Sequence, residues 1–351
     1  MTTKISHIKR SARVAAALAV SALLFAGCSA ETDSADQNAT PTDSAANEQE
    51  EAPADSVAQG SAVSDVTGFD NVVVSTDWLA DNLDSDTVKV IEVSTEVGLY
   101  ERGHIAGAVN FPWHTAFVDT VTRDIVSQED FTELVQAAGI NAGDTVVLYG
   151  DKNNWFAAWG AWIFVLYGFE DIRLLDGGRT KWEAESRPYE VAAPAPTRGT
   201  WEAAPANQDL RALKDEVLTV VTEEQDVQLL DIRSVAEFNG EIFAPDGVDE
   251  LSVRAGHIPG AINVVWSEAV NEDGTLKSVE ELRKLYADAG IDGSEPVIVY
   301  CRIGERASHS WFVLNKILGY DAQLYDGSWT EWGNSVGTPI DNPAGTVWGG
   351  V

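Results

Sequence analysis

The run "VIVYCRIGER", Val297 to Arg306, sets one sulfur nucleophile beside two permanent cations. An apolar stretch ends at Cys301; Arg302 follows at once, and Arg306 comes four residues later. Free thiols are poor nucleophiles until ionised. A neighbouring guanidinium or a ring of backbone N–H groups lowers the thiol pKa from about 8.5 into the range of about 3.5–7.5. Gly304 supplies the left-handed conformation that a short, tightly curled loop needs. Backbone N–H groups of such a loop converge on its centre and favour an anion there. The chemistry expected is therefore covalent transfer through Cys301. Arg302, Ile303, Gly304, Glu305 and Arg306 form the substrate-binding loop, and Arg254 is a further candidate cation upstream.

The elements that must position this loop can be read on either side of it. "PVIVY" (Pro296 to Tyr300) has the unbroken β-branched character of a strand buried on both faces. "ASHSWFVLNKILG" (Ala307 to Gly319) has apolar residues at helical spacing and closes on glycine. Cys301 thus stands at the carboxyl end of a strand, where open α/β sheets place their ligand sites.

The chain also repeats itself. "RGHIAGAVNFPW" (Arg102 to Trp113) returns as "AGHIPGAINVVW" (Ala255 to Trp266), and "TVVLYGD" (Thr145 to Asp151) returns as "PVIVYCR". "LLDGGRTKW" (Leu174 to Trp182) returns as "LYDGSWTEW" (Leu324 to Trp332), all in the same order at an offset of about 150 residues. Three matches in register mean a duplicated domain. Each copy alternates strands (88–94 and 145–150; 227–233 and 296–300) with amphipathic helices (127–139; 278–290). Ser278 and Glu281 have capping-box spacing. The pattern predicts an α/β fold, two parallel sheets flanked by helices. His104 and His257 recur in both copies although only one copy has the cysteine, so their expected role is structural. No GxGxxG follows a strand, and the glycines of GHIxGA serve turns rather than nucleotide phosphates.

In combination, the paired GHIxGA and DGxxxW motifs and the CRxGxR loop resemble the tandem-domain rhodaneses, the thiosulfate sulfurtransferases. The resemblance covers about residues 70–342. It implies two rhodanese-like domains with only the second catalytic; Gly150 and Asp151 stand in the first where the second has Cys301 and Arg302. It also implies that the first domain walls the pocket, and that sulfur moves from thiosulfate to cyanide or a thiol through a persulfide on Cys301. Arg302 and Arg306 would hold the sulfonate, and no metal or organic cofactor is required. Two positions depart from well-known members. Ile303 stands where some have lysine, and Glu237 where some have an anion-binding arginine. Arg233 is expected to pair with nearby acids. Two related activities compete: 3-mercaptopyruvate sulfurtransferases usually carry small residues after the cysteine, and cysteine phosphatases place one more residue between cysteine and arginine. A third alternative is a non-catalytic surface module that senses sulfur or oxidant.

Composition narrows the setting. Of 351 residues, 56 are acidic and 23 are Lys or Arg, a net charge of -33 that repels nucleic acid. Two cysteines without CxxC spacing exclude a thiolate zinc site. Residues 1–27 carry Lys4, Lys9, Arg10 and Arg13, then an apolar run too short to span a membrane comfortably, then "GCSA". This resembles a bacterial lipoprotein signal with Cys28 as the lipidated residue, which implies export and anchoring on the outer face of the cell membrane. Residues 28–69 are expected to form an acidic tether, since they offer little apolar surface to bury. The expected boundaries are 70–190 for the first domain, 191–210 for a linker, 211–342 for the catalytic domain and 343–351 for a tail.

Overall fold

A computed structural model describes residues 67–348 apart from 224 and 250. The signal peptide, Cys28, nearly all of the tether and the last three residues lie outside the described residues.

Two five-stranded sheets, every pairing parallel, repeat one topology. In the first repeat the strands are β1 (Val73–Val74), β2 (Val88–Glu92), β3 (Val109–Asn110), β4 (Thr145–Tyr149) and β5 (Ile172–Leu175), in the order β1-β5-β4-β2-β3. In the second they are β6 (Arg211–Ala212), β7 (Gln228–Asp231), β8 (Ile262–Asn263), β9 (Val297–Tyr300) and β10 (Ala322–Tyr325), in the order β6-β10-β9-β7-β8. The central strands β4 and β9 are the duplicated apolar runs. All four residues of β9 are buried, as strands covered by helices on both faces must be.

The helices form where their caps are. α1 (Gln128–Ala137) starts on Ser127, whose hydroxyl accepts from the Asp130 N–H. α3 (Val279–Asp288) starts on the full Ser278–Glu281 capping box. Between them in sequence lies α2 (Trp155–Leu166), apolar all round and buried from Ala157 onward. Such a helix needs partners on every side. One of them is α4 (Glu305–Trp311) of the second repeat, so the two repeats join through the helices that follow their central strands. The helix expected at 307–319 begins two residues earlier and widens into a π-helical stretch, Phe312–Ile317. The carbonyl of Lys316 in that stretch accepts the Gly68 N–H at 2.7 Å.

The expected linker does not hang free. Trp201 is buried, and its stretch hydrogen-bonds α1 and the turn after it: the Gly199 N–H donates to the Gln136 carbonyl at 2.8 Å and the Trp201 N–H to Ile140 at 3.3 Å.

Candidate active site

β9 delivers Cys301 to the centre of the site, fully buried. Its amide donates to the Ser328 hydroxyl at 3.1 Å, and its carbonyl accepts the Trp329 N–H at 3.0 Å. The loop curls back so that the Gly304 N–H points at the Cys301 Sγ at 3.1 Å. Gly304 sits at φ 104°, and a Cβ there would lie 2.9 Å from the Asp326 carbonyl oxygen and 3.0 Å from the Trp159 ring. Only glycine allows both the conformation and the close approach.

Arg306 lies within electrostatic reach of the Cys301 sulfur. Burial pulls its guanidinium pKa down, but the Cys301 sulfur and then Glu237 outweigh that and raise it above the ordinary arginine value. Its Nη2 lies 3.2 Å from Glu237 Oε1, and its guanidinium sits 5.8 Å from the centre of the Trp155 ring. Glu237 is itself buried, and burial alone would raise its pKa. Arg306, then Arg233 and the Ser234 hydroxyl, reverse this and hold the carboxyl below its usual range. Glu237 is thus an ionised partner of Arg306, locked by the capping box with Ser234.

The other expected residues are placed differently. Arg302 is partly buried, and its Nη2 donates to the Asp249 carbonyl on the loop before "GHIPGA". Ile303 and Glu305 form part of a mainly apolar cavity of about 250 Å³ between the repeats, with Trp113, Ile125 and Trp159 on the facing wall. Glu305 is 3 % exposed, and its Oε2 has no hydrogen-bond partner among the described residues. Burial raises its carboxyl to about pKa 8. Arg254, expected at the substrate, turns away from it. Its guanidinium donates to the carbonyls of Trp332, Gly333, Ser335 and Thr338 and to the Thr338 hydroxyl, and so clamps the end of the second repeat. With all three of its nitrogens bonded to protein, it serves here as a structural residue. Arg233 pairs with Asp231 at 2.6 Å and with the Gly256 carbonyl at 2.7 Å, stacked over Trp329.

His257 and His104 are structural in the same way. Each ring stacks on an aromatic neighbour and holds a backbone carbonyl through Nδ1: His257 on Phe238 at 3.6 Å, His104 on Tyr100 at 3.8 Å.

Sequence reasoning expected the first repeat to wall the pocket but did not reach the residues by which it does so. Trp155 and Trp159 of α2 lie against Arg306 and Gly304, and the Ser308 hydroxyl lies 3.1 Å from the Trp155 carbonyl. A strap at 118–125 also crosses to the second repeat, where Arg123 Nη2 donates to the Ile303 carbonyl at 3.2 Å. No motif marks these residues; only the folded pairing of α2 with α4 brings them to the loop.

The sequence matches the Rhodanese-like domain family over residues 75–185 and 214–335. The chain belongs to that family. A Mycobacterium tuberculosis protein with a provisional thiosulfate sulfurtransferase name is 50% identical over 273 residues, 77% of this chain and 98% of its own length. The sulfur carrier protein TtuD of Thermus thermophilus is 49% identical over 77% of this chain and 96% of its own. Among solved structures, SseA from Escherichia coli, described as having the rhodanese fold of 3-mercaptopyruvate sulfotransferases, is 29% identical with a TM-score of 0.62. That match covers 73% of this chain and 98% of SseA. These relatives place this rhodanese among the sulfurtransferases.

Proposed function

We propose that the protein is a thiosulfate sulfurtransferase that carries sulfur as a persulfide on Cys301. The observation that carries this reading is the Gly304 N–H held 3.1 Å from a buried sulfur, with the Arg306 guanidinium within electrostatic reach of it. The Cys301 thiolate attacks the outer sulfur of thiosulfate, and a new S–S bond forms. The old S–S bond breaks, and its electron pair leaves with sulfite. The terminal sulfur of the resulting persulfide then passes to cyanide, giving thiocyanate, or to a thiolate, giving a new persulfide, and the Cys301 thiolate returns. No net oxidation occurs, and the two half-reactions make ping-pong kinetics. Arg306 and the loop N–H groups stabilise the charge that gathers on the sulfurs and the departing sulfite. Arg302 at the rim adds positive charge, which favours an inorganic dianion over a 2-oxo acid. Rates with thiosulfate and 3-mercaptopyruvate, compared with cyanide as common acceptor, test this. Thiosulfate is expected to give the higher kcat/KM, and the reverse order would reassign the donor.

From the basic start, the short apolar run and "GCSA" we further propose that the enzyme is exported and anchored on the outer face of the cell membrane through lipid on Cys28. Cys28→Ser is expected to move the protein from the membrane fraction to the soluble one, and an unchanged distribution would remove the anchor.

A further inference from the structure

The arginines around the thiol loop are mostly engaged. Arg233 faces Asp231, Arg306 faces Glu237, and Arg211 bridges Asp326 and Asp124. Arg254 is held by four carbonyls. Arg123 differs. Like Arg302, whose bond goes to the Asp249 carbonyl, it forms no ion pair among the described residues, and its hydrogen bond goes to the neutral Ile303 carbonyl; unlike Arg302 it comes from the repeat without the thiol. It stands where two spaces meet, lining both the 250 Å³ cavity against Ile303 and Glu305 and a wider cleft of about 640 Å³ whose walls carry charges of both signs, Arg211 and Lys214 against Asp215 and Glu331.

The strap that carries Arg123 is built, not loose. Val118 bridges Ile125, and the Asp119 carboxylate accepts the N–H groups of Val121 and Thr122, each at 2.8 Å. Arg123 takes a left-handed φ of 60°, unusual for a side chain of its size, and the next residue, Asp124, is tied to Arg211 at 2.7 Å. The guanidinium is therefore delivered from a backbone fixed on both sides. The second repeat sends a corresponding arm, bridged from Val270 to Leu276, across to the thiol-less loop. That arm carries Glu272 and Asp273, and Asp273 is paired with Lys181 at 2.8 Å. The arm over the live loop thus presents an unpaired cation, and the arm over the dead loop a paired acid.

We propose that Arg123, supplied by the repeat that lacks the thiol, is the cation that binds the oxyanion head group of the sulfur donor at the mouth of the Cys301 loop. The inference rests on the reading of the donor as an anion such as thiosulfate. It makes the first repeat a partner in specificity and not only a wall. Arg123 is a specificity residue here; the bond-breaking step belongs to Cys301 and its loop.

The test is the thiosulfate dependence of sulfur loading in the full-length protein and its Arg123→Ala and Arg123→Lys variants, together with calorimetric binding of sulfite to each unloaded protein. Arg123→Ala is expected to raise the KM for thiosulfate and the Kd for sulfite at least tenfold, with kcat changed far less. Arg123→Lys is expected to recover most of both, and the fall of affinity with salt should be shallower in the alanine variant. KM and Kd within twofold of wild type in Arg123→Ala would overturn the proposal. So would equal losses in both variants with a matching fall in kcat, which would mark the arginine as a brace for the strap. If the wild type takes no sulfur from thiosulfate, the functional reading fails, and the sulfite affinities still decide the role of Arg123.

Discussion

In the second repeat the central strand ends at Tyr300 and hands over to Cys301; in the first it ends at Tyr149 and hands over to Gly150. The frame around the two is the same. Each tyrosine hydroxyl accepts the N–H of the isoleucine in GHIxGA, Ile258 at 3.1 Å and Ile105 at 3.0 Å. Each DGxxxW motif ends in a buried tryptophan whose indole N–H donates to a carbonyl before the repeat closes, Trp332 to Pro339 and Trp182 to Pro188. Each sheet holds a buried arginine–carboxylate pair beneath the loop. The second takes its arginine from the end of β7, as Arg233 on Asp231. The first takes Arg179 from its DGxxxW helix onto Glu92, at 2.8 Å. The pair is kept while its source changes, as expected where losing one partner would leave a buried charge exposed to its full desolvation cost.

The loops themselves diverge. After Gly150, three successive residues, Lys152, Asn153 and Asn154, adopt left-handed conformations. Asn154 then fills the loop: its Oδ1 accepts the Gly150 N–H at 3.0 Å and its Nδ2 donates to the Leu175 carbonyl at 2.7 Å. Asp151 turns outward to receive the N–H groups of Thr95 and Glu96, both at 3.0 Å. In the first loop side chains take the amides, Asn154 that of Gly150 and Ser94 that of Asp151, whereas the second leaves the Gly304 N–H on the sulfur. The difference teaches that a duplicated frame is not enough for chemistry. The loop must also leave its amides for a guest.

Restoring the thiol alone should therefore fail. A Cβ at residue 150 would lie 2.2 Å from the Val93 carbonyl oxygen, so Gly150→Cys must displace backbone. It is expected to cost about 1–3 kcal/mol of stability by urea denaturation. Exposure to thiosulfate should load one sulfur per chain, as in wild type. Two sulfurs would show that the first loop is as competent as the second.

A smaller effect concerns Glu305, which has no ionisable counterpart, because Asn154 occupies its place. Its carboxyl titrates at about 8 in the fold, against an ordinary glutamate value of 4.5. The folded state holds this proton more tightly than the unfolded state, so the contribution of Glu305 to stability falls as pH rises between those values. Arg123, Arg306, Asp326, His114 and His309 surround it or share its helix face. Burial keeps His309 neutral throughout this window, at about 4. Glu305→Gln is expected to stabilise the protein, more at pH 9 than at pH 5. An equal difference at both pH values would mean that the carboxyl is solvated and ionised as usual.

Much of this was legible in the sequence because it is local. The repeats announce themselves as strings, Ser278 and Glu281 mark a helix start, and a cysteine after "VIVY" marks the end of a parallel strand. What was not legible depends on direction or on partners far along the chain. Arg254 sits next to a motif of the site, yet its side chain is drawn to four carbonyls of the segment 332–338, which only the fold brings near. Glu237 reads as the loss of a cation, and the fold turns it into a fixed counter-ion for Arg306. Arg123 lies in "VDTVTRDI", a polar turn like any other, and gains meaning only where the strap meets Ile303 of the other repeat.

The most direct measurement is the intact mass of the protein after exposure to thiosulfate alone and removal of excess reagent. The account predicts a gain of one sulfur atom, located on the peptide that contains Cys301, lost on addition of cyanide and absent in Cys301→Ser. A protein that gains no sulfur while peroxide still oxidises Cys301, or one that keeps the gain after Cys301→Ser, would contradict it.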